Sequence, residues 1–190
     1  MRPAPDWNIC NPYPLSDMSI VIRAVAPAEF PPYLPGLTEL LQDAVDSGAS
    51  VGFLRPLAAA EAREYWQEVE ALLPSGNILL VVAEQNGELV GTVQLHLVRK
   101  ANGLHRAEVA KLLVHSKAQR QGIGRRLMEE VERVARRHHR TTLVLDTLQG
   151  APSERLYQNL GYVPVGAIPN FVYNEKGELL ATVYYYKLLS

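Results

Sequence analysis

The stretch Gln119-Arg120-Gln121-Gly122-Ile123-Gly124-Arg125 decides how this chain is read. It lies between a strand-like run, Arg106 to Val114, and a long amphipathic segment, Gly122 to His138. In that segment Ile123, Leu127, Val131, Val134 and Ala135 recur at helical spacing. Two glycines allow the backbone to turn tightly and to approach a ligand closely, and the first N–H groups of the helix have no partner inside it. Those donors, together with the positive end of the helix dipole, suit a phosphate or pyrophosphate. Arg120, Arg125 and Arg126 add charge around the same mouth. A helix that simply begins at a glycine turn has the same local pattern. A Walker loop is excluded because no Gly-Lys-Ser/Thr follows, and the third glycine of a dinucleotide fingerprint would fall at Leu127.

Working outward, the hydrophobic period alternates between that of strands and that of helices. Ser19 to Val25 reads as a first strand, followed by a Pro-rich approach. Leu37, Leu40, Leu41, Ala44 and Val45 form the buried stripe of a helix stopped near Gly48. A second helix runs from Leu57 to Leu73, with Tyr65, Trp66, Val69, Leu72 and Leu73 on one side. Asn77 to Gln85 and Glu88 to Arg99 form a hairpin through Asn86-Gly87, a dipeptide suited to two positive φ angles. After the long helix come a strand (Thr141 to Thr147), a short helix (Pro152 to Leu160) and two strands, Tyr162 to Ile168 and Leu180 to Leu188. The predicted fold class is α/β (α+β): a mixed, mostly antiparallel sheet of about seven strands, with a parallel pair beside the loop and about four helices.

Composition narrows the class of protein. With 190 residues, a net charge of −1 and one cysteine, the chain fits one domain and carries no disulfide framework or Cys-rich zinc site. Met1 to Met18, which holds Cys10 and four prolines, reads as a disordered tail, and Ser19 to Ser190 as the domain. No apolar run is long enough to span a bilayer, and a cytoplasmic location is expected. The arginines from Arg120 to Arg140 read as a solvated helix face, since Glu129 and Glu132 can pair with them and no aromatic platform accompanies them; nucleic acid is not expected as a partner. The histidines lie at no metal-ligand spacing, so no metal is expected, and His96 reads as an outward-facing strand residue.

Two blocks, Gln119-x-x-Gly122-x-Gly124 and Leu156-Tyr157-x-x-x-Gly161-Tyr162, occur in the order and spacing of the GNAT superfamily of acyl-CoA-dependent N-acetyltransferases. The chain resembles that family over about residues 19 to 188. A closer likeness to the tabtoxin-resistance acetyltransferases rests on Gly48-Ala49-Ser50-Val51-Gly52-Phe53, Asn102-Gly103-Leu104, Arg106-Ala107-Glu108-Val109, Leu145-Asp146-Thr147 and the Tyr-rich last strand. The resemblance implies acetyl-CoA as co-substrate. Its pyrophosphate would lie on Gln119, Arg120, Gln121, Gly122, Ile123, Gly124 and Arg125, and its pantetheine arm along Leu112-Leu113-Val114. A bulged, parted strand pair there would expose N–H groups able to hold the thioester oxygen. The family's Asn near the start of the short helix is missing, which leaves Ser153 as a substitute.

Acetyl transfer to an amine needs a proton acceptor for the amine and a proton donor for the thiolate. Tyr157 sits where the family's motif places the donor; as a residue type it is equally at home as a core aromatic. Glu108, in the middle of an apolar strand, and Asp146, at the end of the next, are candidates for taking the amine proton or holding a cationic substrate. The alternative is that Glu108 pairs with Arg106 or Lys111 and that Asp146 caps a turn. The acceptor implied by the resemblance is a small amino-acid-like molecule, its ammonium on Glu108 or Asp146 and its carboxylate on an arginine. Residues 47–56, 100–106 and 169–177 would cover the acetyl end, with Phe53, Trp66 and Tyr184-Tyr185-Tyr186 as possible walls. A monomer or a homodimer would serve equally. A protein N-terminal or lysine acetyltransferase and a non-catalytic acyl-CoA sensor are the competing readings.

Overall fold

The computed structural model describes residues 20–190; the expected tail, with Cys10, lies outside the described residues. Seven strands form one sheet: β1 (Ile20–Val25), β2 (Ile78–Gln85), β3 (Glu88–Leu97), β4 (Arg106–Val114), β5 (Thr142–Leu148), β6 (Val163–Tyr173) and β7 (Leu179–Leu188). Their spatial order is β1-β2-β3-β4-β5-β7-β6. Every neighbouring pair is antiparallel except β4 and β5, which are parallel, as the crossover through a helix requires. Four α-helices complete the fold: α1 (Leu34–Asp46), α2 (Ala59–Leu72), α3 (Ile123–Arg137) and α4 (Pro152–Asn159). The predicted mixed sheet and helix count are therefore correct. The Asn86-Gly87 turn has the two positive φ angles that its sequence suggests, 54° and 82°.

Strand alternation divides the core between the two faces of the sheet. One face packs Val81, Val93, Leu95, Val109, Leu143 and Leu145 against Ile123, Leu127 and Val131 of α3 and Tyr157 of α4. The other packs Leu80, Val82 and Leu113 against Leu37, Leu40 and Leu41 of α1 and Trp66 of α2. The α3 stripe is fully buried, each large apolar side chain contributing about 1.5–3 kcal/mol. α3 is also tied to the sheet by Lys187 of β7, whose Nζ donates to both carboxylate oxygens of the buried Glu132 at 2.6 and 2.7 Å.

Three details differ from expectation. Leu72 is exposed, because the buried stripe of α2 runs through Ala62, Trp66 and Val69 to Leu73 at helical spacing and Leu72 stands one residue off it. Residues 169–173, expected in a loop, extend β6, which pairs with β7 as far as Tyr173–Leu179 after an irregularity between Ile168 and Val172. Trp66 is completely buried between the helices and the sheet and so walls no pocket.

Candidate active site

β4 and β5 are paired at only three positions, Arg106–Thr142, Ala107–Leu143 and Glu108–Val144. Both strands continue, β4 to Val114 and β5 to Leu148, without pairing with each other. β4 also carries a bulge: Thr92 faces Leu113 and Gln94 faces Ala110, so Lys111 and Leu112 together oppose Val93. Lys111 has φ 51°, a left-handed conformation that a lysine adopts only where its surroundings impose it. The bulge restores the alternation beyond it, with Leu113 packing under α1 and α2 and Leu112 and Val114 against the α3 face. β4 and β5 thus form a wedge-shaped opening whose facing strand edges are not paired with each other.

The glycine loop closes the same end of β4. Asp43 of α1 accepts from the N–H and hydroxyl of Ser116 at 2.7 and 2.6 Å, and Gln119 Nε2 donates to the Val114 carbonyl at 3.2 Å, which fixes the chain between strand and helix. Gly122 stands at the helix start with φ 79°. The N–H of Arg126 bonds back to the Gly122 carbonyl at 3.1 Å, leaving those of Ile123, Gly124 and Arg125 outside the helical ladder. A Cβ on Gly124 would lie 3.4 Å from Leu156 of α4, so the glycine lets α3 and α4 approach beside the wedge. The three arginines part ways. Arg126 donates to the Ile20 carbonyl of β1 at 2.7 Å, and Arg125 contacts the Asn159 carbonyl and Glu129. Arg120 has no side-chain hydrogen bond or ion pair among the described residues.

The acids converge on the wedge from two strands. Glu108 pairs with no cation, neither Arg106 nor Lys111, among the described residues. Although open to solvent, its carboxyl has enough protein around it that desolvation holds its pKa above the usual carboxylate range; the nearby charge of Asp146 adds to this and Lys111 opposes it. Asp146 accepts from Thr182 Oγ1 at 3.0 Å and remains exposed, capping no turn. Its charge also raises the pKa of Tyr157, where burial is the larger cause, so that the phenol remains protonated at neutral pH. The Tyr157 ring packs on Tyr162 and Tyr185, with centroids 5.9 and 6.1 Å away, and its hydroxyl is committed to no hydrogen bond among the described residues. Ser153 lies at the start of α4 with its hydroxyl 2.7 Å from that of Thr147, at the end of β5.

Several residues of this region were not singled out from the sequence. Lys111 places its ammonium 5.3 Å from the Tyr65 ring centre and 5.8 Å from that of Phe53. His96 is half-buried, not outward-facing; its Nε2 lies 2.8 Å from Gln94 Oε1, and Gln94 Nε2 donates to the Tyr65 hydroxyl at 2.9 Å. His96 is the register partner of Glu108, and burial lowers its pKa. The available signal was the adjacent pair Leu112-Leu113, a break in period-two alternation that also occurs at Leu79-Leu80 in the regular part of β2 and so does not by itself locate a bulge. Of the expected walls, Phe53 packs on the face covered by α1 and α2, Tyr184 and Tyr186 stand opposite Asp146 and Val144, and Tyr185 is buried on the α3 face.

The sequence model of the acetyltransferase (GNAT) family matches residues 38–162. The chain belongs to the GNAT family of acetyltransferases. Solved structures show the same fold. A ribosomal-protein-alanine N-acetyltransferase from Brucella melitensis superposes with TM-score 0.74 at 24% identity, covering 89% of this chain and 99% of that one. The structure of yncA from Salmonella typhimurium with its cofactor acetyl-CoA gives TM-score 0.71 at 23% identity, covering 90% and 95%. A candidate phosphinothricin N-acetyltransferase gives 0.70 at 18% identity, covering 90% and 99%. At these identities the likeness concerns the fold. In this GNAT chain the glycine loop, the bulge and the parted strands are neighbours along one edge of β4. Among the described residues, no helix is long and apolar enough to cross a membrane and no cluster of metal-ligating side chains occurs.

Proposed function

We propose that this acetyltransferase transfers the acetyl group of acetyl-CoA to the primary amine of a small amino-acid-like molecule. The observation that carries this reading is the parting of β4 and β5 just beyond Glu108 and Val144, with the acids and Tyr157 on its two sides. The N–H groups of Ile123, Gly124 and Arg125 and the Arg120 side chain, which have no partner among the described residues, suit a pyrophosphate, and the β4 edge along Leu112, Leu113 and Val114 suits an amide-bearing arm. Ser153 supports the same site through Thr147 and is a weaker candidate for direct contact.

Within that site Glu108, with Asp146 beside it, accepts the proton of the attacking amine, directly or through water. A backbone N–H of the bulge donates to the carbonyl oxygen as it gains negative charge, and Tyr157 gives its proton to the departing sulfur. A neutral phenol in a dry setting is fitted to that last step. The amino-acid-like acceptor is supported by the two neighbouring acids, by Phe53 and Asp146 within the segments that resemble the tabtoxin-resistance enzymes, and by the name of the phosphinothricin neighbour. Detoxification of an amino-acid analogue inside the cytoplasm would be its use.

The test is acetyl-CoA turnover, followed as free thiol, across amino acids, aminoglycosides, polyamines and peptides. Turnover of small amino acids is expected. Turnover of peptides alone would reassign the chain to N-terminal or lysine acetylation, and acetyl-CoA binding with no turnover would make it a sensor.

A further inference from the structure

The bulge in β4 does more than open a strand edge. Strict alternation would send the side chain after Ala110 into the apolar layer under α3; the extra residue instead turns Lys111 to the face covered by α1 and α2. There its ammonium lies against the Tyr65 and Phe53 rings, and the loop at Gly52 comes so close that a Cβ on that residue would be 3.6 Å from Nζ. Tyr65 is itself held by Gln94 at 2.9 Å, so the aromatic wall is fixed to the sheet. Lys111 forms no ion pair among the described residues; burial lowers its pKa, and the charges of Asp146 and Glu108 oppose that shift and favour the ammonium. One wedge therefore holds two carboxylates and one ammonium, none of them paired with each other. Aromatic faces offset part of the cost of half-burying the ammonium, but they supply no acceptor for its three N–H groups.

We propose that Lys111 is a specificity-determining residue: it receives the anionic group of the acceptor, a carboxylate or its isostere, while Glu108 and Asp146 face the amine. This rests on the amine-acetylating reading above and deepens it by assigning the acceptor class as zwitterions. An ammonium with no acceptor, a Glu108 carboxylate with no donor and an Asp146 carboxylate that accepts only from the Thr182 hydroxyl among the described residues are together complementary to a molecule carrying both charges. A diamine would leave the ammonium unpaired and add repulsion to it. The cation beside the acids is thus a lysine of the bulge, in place of the arginine that the family resemblance implied.

The test compares kcat/KM for a small amino acid with that for its methyl ester and for a diamine of equal length, in the wild type and in Lys111→Met and Lys111→Arg. Charge-assisted hydrogen bonds make the wild type favour the free acid by about 10- to 100-fold, and Lys111→Met reduces that ratio to near one. Lys111→Arg retains most of the preference. Unchanged Tm and acetyl-CoA affinity show that Lys111→Met folds; Lys111→Gln is the second variant if it does not. A wild type that turns over ester and acid alike, or an acid-to-ester ratio unmoved in Lys111→Met, overturns the proposal. Turnover of diamines alone overturns it too but leaves acetyl transfer standing, whereas no amine turnover at all removes both.

Discussion

Glu108 and Val144 are the last residues through which β4 and β5 are paired. Up to that point the parallel strands share a ladder and pack Ala107 and Leu143 into the core; beyond it each strand is held only by its other neighbour, β3 or β7. The acid therefore stands at the apex of the opening, where an amine entering between the strands would meet it.

Replacing Glu108 by Gln should raise stability at neutral pH while lowering kcat/KM by about 10²-fold or more. Its folded pKa lies above the ordinary 4.5, so the fold binds the proton more tightly than the unfolded chain does. The charged form thus costs stability above that range, and the cost is absent well below it. Melting curves of both proteins should converge well below pH 4.5 and separate, with the variant higher, as the pH rises through and above that value. A variant less stable at pH 7 would show that Glu108 is a structural partner.

Asp146→Asn tests the coupling between the acids. Because the charge of Asp146 helps to raise the Glu108 pKa, its removal should move the acidic limb of the kcat/KM profile to lower pH. A limb that stays in place would separate the two residues functionally.

Tyr157→Phe should reduce thiol release about 10²-fold or more, with little change in Tm. The ring keeps its contacts with Tyr162 and Tyr185, and the lost hydroxyl has no hydrogen bond among the described residues. Full turnover in this variant would exclude it as the proton donor.

Gly122→Ala should cost about 1–2 kcal/mol, read from denaturant unfolding, because φ 79° places a Cβ in the left-handed region even though no atom lies within 4 Å of it. The same variant should raise the KM for acetyl-CoA more than that for the amine. Equal effects on both would argue against a phosphate site at this helix start.

Lys187→Met should destabilise by about 2–3 kcal/mol, since it strands the buried carboxylate of Glu132. Adding Glu132→Leu should recover part of that loss. A double variant as unstable as the single would show that the cost lies in packing and not in the unpaired charge.

How much of this was legible in the chain differs from feature to feature, for physical reasons. Period and turn chemistry are local, so the sequence by itself determined the element order, the Asn86-Gly87 hairpin, the α3 stripe and the glycine turn at Gly122. It also marked Glu108 and Asp146 as acids with no reason to stand in apolar strands. What only the tertiary structure decided is where strands part and which face a side chain takes. The bulge adds one residue to β4 opposite Val93, a mismatch between two strands that neither strand's own pattern contains, although Leu112-Leu113 hints at it. That single residue turns Lys111 from the apolar core to the aromatic wall. Arg126 was likewise drawn from the phosphate mouth to the carbonyl of Ile20, which is far from it in sequence and beside it only after the sheet has formed.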